Sequence, residues 1–439
     1  MSVITRAASA AMFDPVRETM SRDELQALQL RRLVWSLGHA CDKVDHHRRA
    51  FAAKGIRPAD IGRLDDLRHV PFTTKLDLRD NYPYGLLAVP REGLSRLHAS
   101  SGTTGKPTVV GYTRADLETW AELGARTLAA CGARPGDLVH NAYGYGLFTG
   151  GLGFHYGAER LGCTVIPMSG GNTEKQIAMI ADLGATVLAC TPSYALNIAE
   201  QAEKDGVDLA GGPLRLAVFG AEPWSEGIRS DIDRRLGVRA QDTYGLSEIM
   251  GPGVGAECPE RNGLHGWEDH FLFEIIDPET LEPLPPGTAG ELVITTLTKQ
   301  ALPMVRYRTR DITRLMTGPC GCGRTHARLE RITGRSDDML IIRGVNVYPS
   351  QVESVLLGRD GIVPHYQLVV RRDGAMDHLT VEVEADPLLA DGDYSRVGAG
   401  IRHHVKSLIG VTCDVVLKNP GELPRSLGKA VRVKDLRNV

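Results

Sequence analysis

His98-Ala99-Ser100-Ser101-Gly102-Thr103-Thr104-Gly105-Lys106-Pro107 is the stretch whose reading decides the fold. Its small hydroxyl residues and glycines leave backbone N–H groups open to an anion, and Lys106 adds a positive charge. It reads as a phosphate cradle. It is not a Walker A loop, which needs four residues between its first Gly and Gly-Lys, and Ser or Thr after the Lys. Here the spacing is shorter and Pro107 follows. The competing reading is a solvated turn, the usual fate of a Gly/Ser/Thr cluster.

Working outward, strand and helix signals alternate. Short apolar runs at 164–167, 185–189 and 214–219 read as strands, and the amphipathic stretches 172–183 and 194–204 as helices. Such alternation over 97–245 implies layered α/β structure with a mainly parallel sheet. Upstream, Leu30, Leu33, Leu37, Cys41 and Val44 recur at three- and four-residue steps, so 21–55 reads as amphipathic helix. Downstream, FLFEIIDPETLEPLPPGTAGELVITTL (271–297) reads as strand, Pro/Gly turn and strand, the start of a β-rich subdomain over 270–316. Beyond it, strand patterns at 340–342, 367–371 and 379–384 and helical patterns at 349–357 and 394–408 form a small α+β unit. Gly334-Arg335-Ser336-Asp337-Asp338 separates this unit from the rest, so domains are expected at 1–335 and 336–439.

The net charge of −3 is spread along the chain, which argues against a general nucleic-acid binder or a membrane-surface protein, since both need a concentrated positive field. Nowhere is there an apolar run of ~18 residues to span a bilayer. The first residues mix charges among apolar positions, unlike a signal peptide. A cytoplasmic protein is expected. Its eight cysteines then read as thiols or metal ligands rather than disulfides.

Ser100 through Pro107 resembles the phosphate-loop signature of the adenylate-forming enzymes, which include acyl- and aryl-CoA ligases. Further motifs follow in order. Asp242-Thr243-Tyr244-Gly245-Leu246-Ser247-Glu248 resembles the adenine and magnesium motif, and Tyr307-Arg308-Thr309-Arg310-Asp311 stands in place of the ribose-binding Thr-Gly-Asp. Gly334-Arg335-Ser336-Asp337-Asp338 resembles the hinge, and Pro424-Arg425-Ser426-Leu427-Gly428-Lys429 the C-terminal lysine motif. The Tyr-Arg-Thr-Arg-Asp variant, Gly220-Ala221-Glu222-Pro223-Trp224 and Gly344-Val345-Asn346-Val347-Tyr348-Pro349 narrow the resemblance to the phenylacetate–CoA ligase family.

The resemblance implies a large N-terminal α/β domain that binds ATP and the acid, with a β-rich subdomain, and a mobile α+β C-terminal domain carrying the catalytic lysine. It implies ATP-dependent activation of an aromatic carboxylic acid, phenylacetate as first guess, to an acyl-adenylate. Thioester formation with coenzyme A follows, releasing AMP after pyrophosphate. Both halves build negative charge on oxygens, so cations, N–H donors and positioning matter more than a covalent nucleophile. By resemblance Lys429 bridges the carboxylate and the α-phosphate, and Glu248 holds Mg²⁺, a hard cation that prefers carboxylate oxygens. Ser100, Ser101, Gly102, Thr103, Thr104, Gly105 and Lys106 cradle phosphate. Asp242, Thr243 and Tyr244 belong to the adenine site, with Ala221, Glu222 and Pro223 passing along the ring. Asp311 accepts from the ribose hydroxyls, unless it serves instead as partner to Arg308 or Arg310. Arg335 reaches ribose or phosphate, Asp337 is the pivot, and Gly344 lets the pantetheine arm approach the backbone. Trp224 reads as packing.

Tyr143-Gly144-Tyr145-Gly146-Leu147-Phe148-Thr149-Gly150-Gly151 holds aromatics among glycines, and the family's acid pocket lies here. Tyr145, Phe148 and Gly150 are the pocket candidates. No Gly-x-Gly-x-x-Gly marks it as a dinucleotide loop.

Cys258, His265, Cys320 and Cys322 form a second constellation. Three thiolates and an imidazole suit a structural tetrahedral Zn²⁺, with His270 and His326 as alternative fourth ligands. Free thiols are the competing reading. The remaining cysteines at 41, 131, 163, 190 and 413 read as core. Two other functions compete with the ligase: loading of an aryl acid onto a carrier-protein phosphopantetheine, and a non-catalytic nucleotide-binding scaffold. Lys429 and Glu248 argue against the scaffold. A homodimer is expected from the resemblance.

Overall fold

The structure is a computed structural model and describes residues 12–100, 107–332, 334–336, 340–343, 345–357, 359–373, 376–426 and 430–437. The calls on Ser101, Gly102, Thr103, Thr104, Gly105, Lys106, Asp337, Gly344 and Lys429 fall outside the described residues.

Among the described residues, the largest sheet has nine strands. From one edge they run Leu315–Met316, Arg328–Leu329, Leu264–Gly266, Gly251–Glu257, Arg239–Leu246, Leu216–Phe219, Val187–Cys190, Leu138–Asn141 and Thr164–Ile166. The five from Arg239–Leu246 to the far edge are parallel and the others antiparallel. Helices Gly150–Leu161, Thr173–Leu183, Pro192–Lys204 and Glu226–Leu236 follow the parallel strands in the chain. Their cover explains why Val187–Cys190 and Leu216–Phe219 read as unbroken apolar runs: every residue in them is buried.

The downstream segment forms a second, antiparallel sheet in the order Phe271–Ile276, Gly290–Thr296, Tyr307–Thr313, Gly334–Arg335. The last stretch folds around its own core, which runs from Leu340 to Val433. There a four-stranded sheet, Asp414–Lys418, Met376–Ala385, Ile362–Asp373 and Val433–Asp435, carries helices Pro349–Leu356 and Tyr394–Ile409. This is the α/β architecture with a small α+β C-terminal part that the sequence implied.

The stretch 21–55 is corrected. It forms two helices, Arg22–Lys43 and Asp45–Lys54, with Val44 extended between them at φ −116°, ψ 112°. The side chain of Val44 is buried at the bend, and Asp45 starts the next helix where a negative charge suits the exposed N–H groups. Apolar spacing continues across the bend, which is why periodicity alone reads one helix. The first helix is closed by a capping box between Ser21 and Glu24.

Two long-range ties matter later. Glu18, in the short helix Pro15–Glu18, is fully buried and pairs with the equally buried Arg324 at 2.6 Å, a contact 306 positions apart. Thr325 N–H also donates to the Glu18 carbonyl at 3.1 Å. Helices Arg114–Cys131 and Gly150–Leu161 touch through glycine. A Cβ on Gly157 would lie 2.7 Å from the Cα of Gly124. This contact sets how deeply the second helix sits, and so where its N-terminal residue, Gly150, is held. Gly157→Ala therefore overpacks the crossing and should destabilise the protein by about 1–3 kcal/mol in urea unfolding.

Candidate active site

The hairpin Arg96–Ser100 and Thr108–Tyr112 pairs Ser100 with Thr108, so the predicted phosphate loop joins two adjacent strand ends. Among the described residues, Ser100 Oγ and His98 Nε2 are buried without a hydrogen-bond partner. Unsatisfied buried polar atoms are uncommon in folded proteins, and these two lie at the start of the predicted phosphate loop.

The nucleotide-motif residues meet across both large sheets. Tyr244, on Arg239–Leu246, donates its hydroxyl to Asp311 Oδ2 at 2.5 Å, and Arg335 Nη1 lies 3.4 Å from Asp311 Oδ1. Asp311 and Arg335 are register partners on adjacent strands. Burial, followed by the Asp311 charge, pushes the Tyr244 phenol well up, so it stays a donor. Arg308 and Arg310 turn instead to Glu291, at 2.7 and 3.6 Å. The structure thus sets aside the reading of Asp311 as their partner. Thr243 Oγ1 donates to the Phe219 carbonyl at 2.7 Å, and burial, then Glu257, pushes the neighbouring Asp242 up to about 6.

Between these strands lies 220–223. Ala221 has φ +73°, the left-handed region that a Cβ disfavours. Such strain collects at ligand sites. Ala221 and Pro223 are exposed, whereas Glu222 points elsewhere: its carboxylate accepts from Ser193 N–H at 2.7 Å and Ala430 N–H at 2.6 Å. Trp224 is buried against Phe219.

Glu248 sits in a turn after Arg239–Leu246 and is buried. Its turn is held by the Thr149–Ser247 hydroxyl contact at 3.0 Å and by Lys299, whose Nζ donates to the Glu248 carbonyl at 3.0 Å. Lys299 is fully buried with its ammonium 5.0 Å from the Tyr112 ring centre. Sequence reading passes over it, because a lysine between Thr298 and Gln300 looks like surface. Its only advance signal is its place just after a strand.

The acid-pocket candidates lie together at the start of helix Gly150–Leu161. Phe148 is 44% exposed, and a Cβ on Gly150 would strike its ring at 2.4 Å, so the glycine leaves the ring its room. The Tyr145 hydroxyl accepts from Asn141 Nδ2 at 2.7 Å.

Away from this site, the ligand atoms of Cys258, His265, Cys320 and Cys322 lie within 4.8 Å of one another. His265 Nε2 is 3.3 Å from Cys322 Sγ, and Cys258 Sγ 3.6 Å from Cys320 Sγ. His265 Nδ1 faces the His326 carbonyl at 3.4 Å, which orients Nε2 toward the thiols. His270 and His326 are set aside as fourth ligands: His270 Nδ1 contacts Thr298 Oγ1 and His326 Nε2 the Arg17 carbonyl. The other five cysteines are buried.

Residues 89–298 match the AMP-binding enzyme family, and residues 344–437 match the AMP-binding enzyme C-terminal domain. The fold is that of an adenylate-forming enzyme. The chain is 56% identical over 431 residues to the phenylacetate–coenzyme A ligase of Escherichia coli (strain K12), covering 97% of this chain and 98% of that one. It belongs to the phenylacetate–coenzyme A ligase family. Among solved structures, 2-hydroxyisobutyryl-CoA ligase in its postadenylation state with 2-HIB-AMP aligns at TM-score 0.92 and 30% identity, over 98% of this chain and 93% of that one. In its thioesterification state, with 2-HIB-AMP and CoA, the same ligase aligns at TM-score 0.72 and 31% identity, over 97% and 92%. The arrangement of this chain is closer to the first state. Among the described residues, no helix is long and apolar enough to cross a membrane.

Lys299 yields a test of the site's internal electrostatics. Burial holds its amine down at about 8, against the opposing pull of Asp116 and Glu248. Between about 8 and the ordinary 10.5 the unfolded chain keeps a proton that the folded chain has released, so stability rises with pH across that window. In Lys299→Met that rise should be absent from urea midpoints measured at pH 8 and 10, and activity should fall because the Glu248 turn loses its donor.

Proposed function

We propose that the protein is an AMP-forming ligase that joins phenylacetate to coenzyme A. The observation that carries this reading is the 56% identity with a phenylacetate–coenzyme A ligase along nearly the whole chain. The acid's carboxylate oxygen attacks the α-phosphorus of ATP and pyrophosphate leaves. The thiol of coenzyme A then attacks the acyl carbon and AMP leaves. Carrier-protein loading is not favoured, since the relative matched end to end is named for coenzyme A.

The roles follow the geometry. The adenine lies along the backbone of Ala221, Glu222 and Pro223, whose Glu222 carboxylate turns away, beside Asp242, Thr243 and Tyr244, and the strained Ala221 backbone supports this. Asp311 and Arg335 take the ribose. Ser100, Ser101, Gly102, Thr103, Thr104, Gly105 and Lys106 hold the phosphates, and the partnerless Ser100 hydroxyl fits that duty. Glu248 would hold Mg²⁺, which would offset phosphate charge when bound. Lys429 offsets the charge that develops between carboxylate and α-phosphate. Tyr145, Phe148 and Gly150 face the aromatic ring. Asp337 is the pivot of a C-terminal domain beginning at 336, and Gly344 admits the pantetheine arm in the second half. A cytoplasmic homodimer is the expected form, on the family resemblance.

A structural zinc belongs to the same reading. Its donors, Cys258, His265, Cys320 and Cys322, already lie together and the His265 ring is already oriented. Four protein ligands leave no open position for catalysis. Elemental analysis should find about one zinc per chain, and Cys320→Ser should lose it along with thermal stability. A metal-free yet fully folded wild-type protein contradicts this assignment.

The activity is tested with a panel of aryl and alkyl acids in two assays, acid-dependent exchange of pyrophosphate into ATP and thioester formation with coenzyme A. Phenylacetate should give the highest kcat/KM in both. Lys429→Ala should abolish exchange and spare thioester formation from supplied acyl-adenylate. Equal loss of both steps removes the assigned role.

A further inference from the structure

Among the described residues, two hydrogen-bonded contacts pin the small domain to the large one at positions on either side of Lys429 in the chain. Glu200 lies on the large-domain helix Pro192–Lys204 and accepts from Arg425 Nε at 2.9 Å and from His365 Nε2. Arg425 and His365 both belong to the small domain. The rest of the Arg425 guanidinium is held within its own domain: Nη1 and Nη2 donate to Glu384 at 2.7 and 2.8 Å. Glu384 is fully buried and also accepts from Gly421 and Leu423 N–H groups. Arg425 is therefore a rigid fork that turns with the small domain and presents its remaining edge outward. The second pin is Glu222, which joins Ala430 N–H to Ser193 N–H.

We infer that Glu200, seconded by Glu222, is a positioning residue for the adenylation half-reaction: it seats the lysine loop by gripping the Arg425 fork, and it must release that fork before the thioester half-reaction. The inference rests on the reading of Lys429 given above. Three features carry it. Arg425 and Ala430 bracket Lys429 in the chain, so gripping both fixes the ends of the loop that delivers the ammonium. The grip crosses the domain seam, whereas the Arg425–Glu384 pair does not, so only the grip depends on domain orientation. The seam is not packed shut, because a cleft of about 830 Å³ opens beside Glu200, Arg425 and Tyr366, and water can reach the pair as it parts. Burial alone would raise the Glu200 carboxyl, yet His365 and Arg425 hold it at about 2, so it stays an acceptor throughout the working range.

The test is the full-length Glu200→Gln protein in the two half-reactions. Pyrophosphate exchange should fall roughly tenfold, the equivalent of one charge-assisted hydrogen bond, with KM for ATP and acid little changed. Thioester formation from supplied acyl-adenylate should hold or rise. Energy transfer between dyes on helices Glu226–Leu236 and Tyr394–Ile409 should show the small domain leaving its seated orientation more often. Glu200→Asp, which keeps the charge at shorter reach, should recover part of the exchange, and it supplies the same split should Glu200→Gln fail to fold. Equal loss of both halves, or no loss in either, overturns the inference. If Lys429→Ala leaves exchange intact, the lysine reading fails. If Lys429→Ala abolishes exchange while Glu200→Gln does not lower it, the grip alone fails.

Discussion

The hydrogen bond from the Tyr244 hydroxyl to the Asp311 carboxylate joins two sheets that otherwise have separate orders. Tyr244 lies in strand Arg239–Leu246 of the nine-stranded sheet, while Asp311 lies in the four-stranded one beside Arg335. A buried carboxylate needs donors, and here they come from opposite sides, the phenol from one sheet and the guanidinium from the other. Under the function proposed above, the same three residues line the adenine and the ribose. Any shift of one sheet against the other would unpair a buried charge before it moved a ligand, so the groups that handle the nucleotide stay in register.

How much of this could be read from sequence follows from where partners lie. The parallel sheet was legible because Val187–Cys190 and Leu216–Phe219 are buried on both faces, which forces continuous apolar runs. The β hairpin at 271–297 was legible through its Pro- and Gly-rich turn. The bend at Val44 was not, because a buried valine keeps the apolar rhythm in either conformation. Lys299 was missed for a related reason: its burial depends on Glu248 and Tyr112, far away in the chain, and no period records that. The carboxylate of Glu222 was out of reach for the same cause, since Ser193 and Ala430 meet it only after two domains are placed.

Two kinds of charge arrangement divide the molecule. The small-domain pair of Arg425 with Glu384 is fully buried on the acid side and supported by backbone N–H groups. The pairs that cross the seam to Glu200, from His365 and Arg425, border an open cleft. Buried, fully satisfied pairs are costly to break, whereas a pair that water can reach exchanges its partners readily. Rigid small-domain geometry and a releasable contact surface therefore coexist within a few ångströms.

The Glu18–Arg324 pair has a consequence for how the chain is made. Two fully buried opposite charges, 306 positions apart, pair with each other at 2.6 Å, and the Asp14 N–H also donates to Glu18 at 2.8 Å. On the ribosome the acid emerges long before its base. The first helix can meet Glu122 and Arg126 earlier, but its one buried acid has its buried base only once the stretch beyond the cysteine cluster has been synthesised, so the N-terminal segment completes its docking late rather than early. Synthesis order and assembly order run in opposite directions here, and translation stalled before Arg324 would leave the opening segment exposed to proteases and chaperones.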